Sequence, residues 1–222
     1  GRNISAVGNR TQEKAVAFAE KYGIEKVYDD FHEMFIDPDI DVIYITTPHN
    51  THIEFMKQAI WNGKHVLVEK SITLNSSELE EAIAHAKEHG VVIGEAMTIY
   101  HMPLYKKLRE ILDSGKLGKV NLITLNFGSF KDYDMSNRFF NRKLAGGAML
   151  DIGVYALSFI RYFMSSKPDQ ILSQMKPAPT GVDEQAGLLL TNPDGQMASV
   201  MLSLHSKQPK RGMVSCEKGY IE

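Results

Sequence analysis

Residues 63–73 read GKHVLVEKSIT. His65 to Val68 is a β-branched and apolar run, suited to a strand buried in a parallel sheet. Glu69 and Lys70 follow at its carboxyl end, where an open α/β sheet places its ligand crevice. A charge pair there is either the end of a solvated strand or a positioned proton-handling group. Spacing alone favours the first.

On the amino-terminal side, residues 4–7 read as a short strand and Thr11 opens a helix. Ala15, Phe18, Ala19 and Tyr22 give that helix an apolar stripe, and Gly23 ends it. A short helix follows Asp30, with Glu33 at capping-box distance. Residues 41–45 form a strand that stops at Thr46-Thr47-Pro48, and a helix over 51–62 turns Ile53, Met56 and Ile60 inward. On the carboxyl side, Asn75 and Glu78 cap a helix whose stripe is Leu79, Ile83 and Ala86, and residues 91–94 form another strand. Strands and helices alternate with connections of a few residues, the pattern of right-handed crossovers. The expected fold is α/β, with a doubly wound, parallel Rossmann-type domain over residues 1–97.

The pattern then changes. Pro103 starts a helix at its first turn, with Tyr105, Leu108 and Leu112 inward. Five strands are expected over 120–130, 170–176, 183–190, 196–204 and 212–216, with one helix near 153–164 among them. In the fourth, Ala198, Val200, Leu202 and Leu204 alternate with Met197, Ser199, Met201 and Ser203, as in a sheet covered on one side. Residues 98–222 are therefore expected to form an α+β domain with a large open, mainly antiparallel sheet. The chain opens Gly1-Arg2-Asn3 almost directly into a strand and stops at Tyr220-Ile221-Glu222 inside another. Both ends are expected to be cut.

Of the 222 residues, 43% are hydrophobic and 23% charged, ordinary values for a globular protein. No apolar run approaches a membrane span, which argues against a membrane partner. A net charge of −2 argues against nucleic acid. The one cysteine, Cys216, fits a reducing, cytoplasmic setting. The eight histidines are scattered, and no metal site is expected.

Four stretches could carry chemistry. Asn9 and Arg10 follow the first strand, where an arginine in place of an acid accommodates the 2′-phosphate of NADP. Thr47-Pro48-His49-Asn50-Thr51-His52 follows the next strand and either meets a ribose or nicotinamide or merely caps a helix. Glu69-Lys70 is the third. Gly146-Gly147 with Asp151 and Tyr155 is the fourth: the glycines permit close backbone approach, and the i, i+4 spacing puts both side chains on one helix face.

Together these resemble the Gfo/Idh/MocA oxidoreductases, over essentially the whole chain. The family's Glu-Lys-Pro signature appears as Glu69-Lys70-Ser71, and its Pro-Asn-x-x-His turn as Pro48-His49-Asn50-Thr51-His52. Its Gly-Gly-x-x-x-Asp-x-Gly-x-His motif appears as Gly146-Gly147, Asp151, Gly153 and Tyr155, with tyrosine where most members have histidine. That tyrosine, with Arg138-Phe139-Phe140 upstream, is similar to the branch of glucose–fructose oxidoreductase and the dimeric dihydrodiol dehydrogenases. The family's first strand and GxGxxG loop are expected to lie upstream.

The resemblance implies an oxidoreductase using NADP, with NAD possible, that moves hydride to or from a sugar, polyol, dihydrodiol or related alcohol. It implies cofactor contacts from Asn9, Arg10, Thr47, Pro48, His49, His52, Glu69 and Lys70. Tyr155 is the candidate acid/base. A free phenol, near pKa ~10, is poorly matched to neutral pH, and a nearby Lys70 ammonium would lower it. Asp151 would hold a substrate hydroxyl, and Glu69 would brace the lysine. A homodimer or higher homo-oligomer through the open sheet is implied as well. The alternatives are a non-catalytic NADP-binding regulator and a redox-assisted glycosidase on the same scaffold.

Overall fold

Strand β4 spans His65–Val68, flanked in a parallel three-stranded sheet by β3 (Val42–Ile45) and β5 (Ile93–Glu95). The computed structural model describes residues 4–222, and the chain divides into two units after Ala96. The first unit also holds β1 (Ala6–Gly8) and β2 (Lys26–Tyr28), a parallel pair. Its helices are α1 (Gln12–Tyr22), α2 (Phe31–Ile36), α3 (His52–Trp61) and α4 (Ser76–Glu88). Asn75 caps α4 by accepting from Glu78 N at 3.0 Å, while Glu78 reaches back to Leu74 N at 3.0 Å.

The core of this unit gathers Phe35, Ile43, Ile45, Met56, Ile60, Val66 and Val68. β4 is not buried throughout, as its apolar run suggests. Val66 and Val68 are buried, while Leu67, with Val42 and Tyr44 of β3, is exposed. The stripes of α1 and α4 also differ from expectation. Phe18, Tyr22 and Ile83 are exposed, and the buried positions are Ala15, Ala19, Ala82 and Ala86. Alanines bring a helix close to its support, so the larger neighbours are left at the rim. β2, only three residues long, carries no pattern that reveals it. Lys64 is buried just ahead of β4, its Nζ donating to the carbonyls of Asp37 at 2.6 Å and Ile40 at 2.8 Å.

The second unit is a six-stranded sheet in the order β11-β10-β6-β9-β8-β7. Its strands are β6 (Val120–Gly128), β7 (Gln170–Pro177), β8 (Asp183–Thr191), β9 (Met197–Ser203), β10 (Arg211–Cys216) and β11 (Tyr220–Ile221). All neighbours are antiparallel except β6 and β9, a central parallel pair that alternation alone does not reveal. Helices α5 (Pro103–Asp113) and α6 (Val154–Phe163) pack against it. Ala198, Val200, Leu202 and Leu204 are buried, and Met197 and Met201 stand on the open side.

The stretch Arg142–Phe163 reaches the length and mean hydropathy, 1.3, of a membrane span, contrary to the reading of composition. It folds as a 3₁₀ turn, a π turn and α6, and Ala156, Phe159, Ile160 and Phe163 pack into the sheet core. That is the environment of a core helix.

Candidate active site

In the first unit the carboxyl ends of β3 and β4 are tied together by one imidazole. His52 is fully buried at the start of α3. Its Nδ1 lies 2.8 Å from Ser71 O and its Nε2 2.8 Å from Thr47 O. Thr51 donates its hydroxyl within the same turn, to Thr47 Oγ1 at 2.8 Å and Pro48 O at 2.7 Å. The buried ring of His49 meets that of His52 edge-on, centroids 5.7 Å apart. Thr47, Pro48, His49, His52, Lys70 and Ser71 thus form one cluster. The Lys70–Ser71 peptide bond is cis.

Glu69 accepts a hydrogen bond from Tyr44 Oη on the neighbouring strand. That bond, with burial second, pushes the Tyr44 phenol up to about 12. The segment after Lys70 is held from β5, where Glu95 Oε1 accepts from Ile72 N at 3.0 Å. Asn9 and Arg10 follow β1, which pairs with β2 in a sheet of its own. Asn9 Oδ1 accepts from Thr11 N at 2.9 Å. Arg10 is exposed and makes no ion pair among the described residues.

In the second unit Asp151 lies in a π turn, Met149–Gly153, that runs directly into α6 and Tyr155. Such turns recur at functional sites. Asp151 is buried, with Arg138 Nη1 3.9 Å from its Oδ1. Arg138 in turn lies over the Phe139 ring, 4.1 Å from its centroid, with Lys131 at 4.2 Å. The Tyr155 ring is 5.9 Å from Phe127 and lines a cavity of about 220 Å³ with Tyr105, Phe159 and Lys210.

The glycine pair is explained by what surrounds it. A Cβ on Gly146 would stand 2.7 Å from the carbonyls of Arg138 and Phe139, and one on Gly147 would stand 2.2 Å from Asp183 Oδ1. Gly147 also has φ +121°, which side chains resist. Sequence reading took Asp183 and Glu184 only as the start of a strand. Glu184 is buried, accepting from Tyr133 Oη at 2.6 Å and pairing with Lys176 Nζ at 2.7 Å. Two adjacent acids opening an apolar strand were the available signal.

The fold belongs to an NAD(P)-type dehydrogenase scaffold. A family model described as GFO/IDH/MocA C-terminal domain matches residues 105–222, and one described as oxidoreductase family, NAD-binding Rossmann fold, matches residues 1–97. The chain belongs to the Gfo/Idh/MocA family, as its motifs indicate. It is 34% identical over 222 residues to trans-1,2-dihydrobenzene-1,2-diol dehydrogenase of Mus musculus, across 99% of this chain and 66% of that one. The Xenopus tropicalis protein of that name is 32% identical over 220 residues, with 99% and 66% covered. The chain thus spans 66% of the length of these curated relatives. Among solved structures, aldose-aldose oxidoreductase of Caulobacter crescentus, complexed with glycerol, superposes with a TM-score of 0.88 at 28% identity, over 98% of this chain and 68% of that one.

Proposed function

We propose that this protein is an NAD(P)-dependent oxidoreductase acting on the CH–OH or carbonyl group of a dihydrodiol, sugar, polyol or related polar alcohol. The observation that carries the reading is the placement of Lys70 at the carboxyl end of β4, next to a residue whose carbonyl His52 holds against the β3 turn. That is the crevice edge of a parallel sheet, where a dinucleotide is met. The donor set fits such a group. The β3 turn offers the hydroxyl of Thr47 and the stiff backbone of Pro48, His49 and His52 shape it, and Glu69 and Lys70 border it. Asn9 and the exposed Arg10 guanidinium end the strand that meets the ribose, and Arg10 suits a 2′-phosphate. NADP is therefore the proposed cofactor, with NAD as the weaker.

A bound nicotinamide supplies or accepts hydride at its C4. The chain's own task is to hold the substrate and to manage one proton on its oxygen. Tyr155 exchanges that proton through its phenolic oxygen. Lys70, at the crevice edge of the first unit, supplies an ammonium suited to steadying negative charge as it develops on a substrate oxygen. Asp151, buried and paired with Arg138 at 3.9 Å, accepts a hydrogen bond from a second substrate hydroxyl.

A second copy of the chain is the proposed partner for the open sheet face, where Leu189, Met197 and Met201 are exposed together with Leu172 of the edge strand β7. An apolar patch of this kind marks an interface. The single free Cys216 favours a cytoplasmic location.

Turnover in the full-length protein tests the reading. NADP-dependent oxidation of benzene dihydrodiol and of simple aldoses is followed by nicotinamide absorbance. Turnover of one class supports the proposal and names its substrate, whereas cofactor binding without turnover of any of them overturns it in favour of a regulator.

A further inference from the structure

The helical segment that carries Asp151 and Tyr155 begins against one carboxylate. Asp183 Oδ2 accepts from Met149 N, the first amide of the π turn, at 2.7 Å. Its other oxygen occupies the space that a side chain on Gly147 would take, 2.2 Å from the Cβ position. The first amides of a helix lack intrahelical acceptors and carry a positive partial charge, so a carboxylate satisfies them better than a neutral group does. Asp183 forms no ion pair among the described residues. Its neighbour Glu184 is committed elsewhere, to Tyr133 and Lys176. Burial pushes the Asp183 carboxyl up, and the amides of Met149 and Ala148 oppose that shift.

Gly147 joins this contact to the site. Its carbonyl accepts from Asp151 N at 3.1 Å, and its own N–H donates to Phe139 O at 2.9 Å. The residue that makes room for Asp183 therefore also carries the backbone of Asp151 and docks the loop holding Arg138.

We propose that Asp183 is a positioning residue for the reaction, its carboxylate pinning the start of the π turn and so setting where Asp151 and Tyr155 stand. The role rests on the oxidoreductase reading of that site. The carboxylate touches neither substrate nor cofactor; it acts through Gly147 and Met149.

The test compares Asp183→Ala, Asp183→Asn and Gly147→Ala in the full-length protein. Asp183→Ala and Gly147→Ala are expected to lower kcat about 10-fold, the scale of a small misplacement of reacting groups, with the KM for cofactor unchanged. The double variant is expected to be no worse than Gly147→Ala alone, because both changes break one contact and only the glycine change adds strain at φ +121°. Asparagine keeps an acceptor and is expected to recover part of the loss. Amide hydrogen exchange over residues 149–153 is read in parallel and should quicken in Asp183→Ala. Wild-type kcat in Asp183→Ala, even with a lowered Tm, overturns the proposal, since a merely structural carboxylate would behave so. If the unmodified protein turns over no alcohol, the oxidoreductase reading fails by itself. Exchange then decides, and unaltered exchange over 149–153 in Asp183→Ala overturns the pinning role.

Discussion

His52 Nδ1 and the carbonyl oxygen of Ser71 lie 2.8 Å apart, and the opposite edge of the same ring faces Thr47 O at the same distance. Two loops at neighbouring strand ends are thus held by one buried side chain. His52→Leu fills similar space but removes the ring N–H that donates to one of these carbonyls. A loss of about 1–3 kcal/mol in unfolding free energy is expected from losing the donor to one buried or part-buried carbonyl. Urea denaturation measures it, and a loss well under 1 kcal/mol would mean that water replaces the ring.

Cofactor choice is expected to turn on Arg10. If its guanidinium meets the 2′-phosphate, Arg10→Ala should cost NADP on the order of 1.5–3 kcal/mol, the range for one charge-assisted contact. NAD, lacking that phosphate, should bind as before. Fluorescence titration of both reduced cofactors gives the answer, and equal losses refute the assignment.

Tyr155→Phe and Lys70→Met each remove one part of the proton path while keeping most of the packing. Each should lower kcat by roughly 10²–10⁴-fold. A double variant little worse than either single would show the two side chains acting as a unit. Near wild-type turnover by Tyr155→Phe, with cofactor bound normally, would assign the proton to another group.

Acid stability is expected to depend on Glu184. Burial alone would raise this carboxyl, but the hydrogen bonds from Lys176 and Tyr133 outweigh it and hold it below the ordinary value of 4.5. The folded protein thus binds this proton less readily than the unfolded chain. Its stabilisation is complete above 4.5 and is lost as pH falls through the lowered value. Lys176 is largely exposed, which weakens the pair. Glu184→Gln should flatten the acid limb of a Tm-against-pH curve, and an unchanged limb would exclude the coupling.

Leu172 is 71% exposed on β7, at the edge of the open sheet. Leu172→Asp should convert a dimer to monomer in light scattering without altering the far-ultraviolet spectrum. A wild-type protein that is monomeric at micromolar concentration refutes the interface.

The strands and helices were largely legible because period-2 and period-3.6 patterns run the length of the chain, and β4 and α6 fall where those patterns put them. What stayed hidden follows from geometry that no single stretch encodes. β2 is too short to show a period. The parallel contact of β6 with β9 joins segments about seventy residues apart, and alternation is the same in either direction. In α1 and α4 the stripes included Ala15, Ala19 and Ala86, but Ala82 was overlooked and the larger Phe18, Tyr22 and Ile83 turned out exposed. At the candidate site, motif spacing singled out His52 and Asp151 but not the groups that they meet. The backbone carbonyls of Ser71 and Thr47 leave no mark in sequence, and Asp183 lies over thirty residues from the turn that it meets.

The π turn at Met149–Gly153 has a consequence for change in chain length. It winds more loosely than the α6 helix that follows, so it holds one residue more than an α turn would. Deleting a single residue there would let the segment relax into a regular helix. The helix after it would keep its phase, so Tyr155 would stay on its face while the widened turn that presents Asp151 was lost. The extra residue of the turn thus serves the placement of Asp151, and its removal separates that placement from the placement of Tyr155.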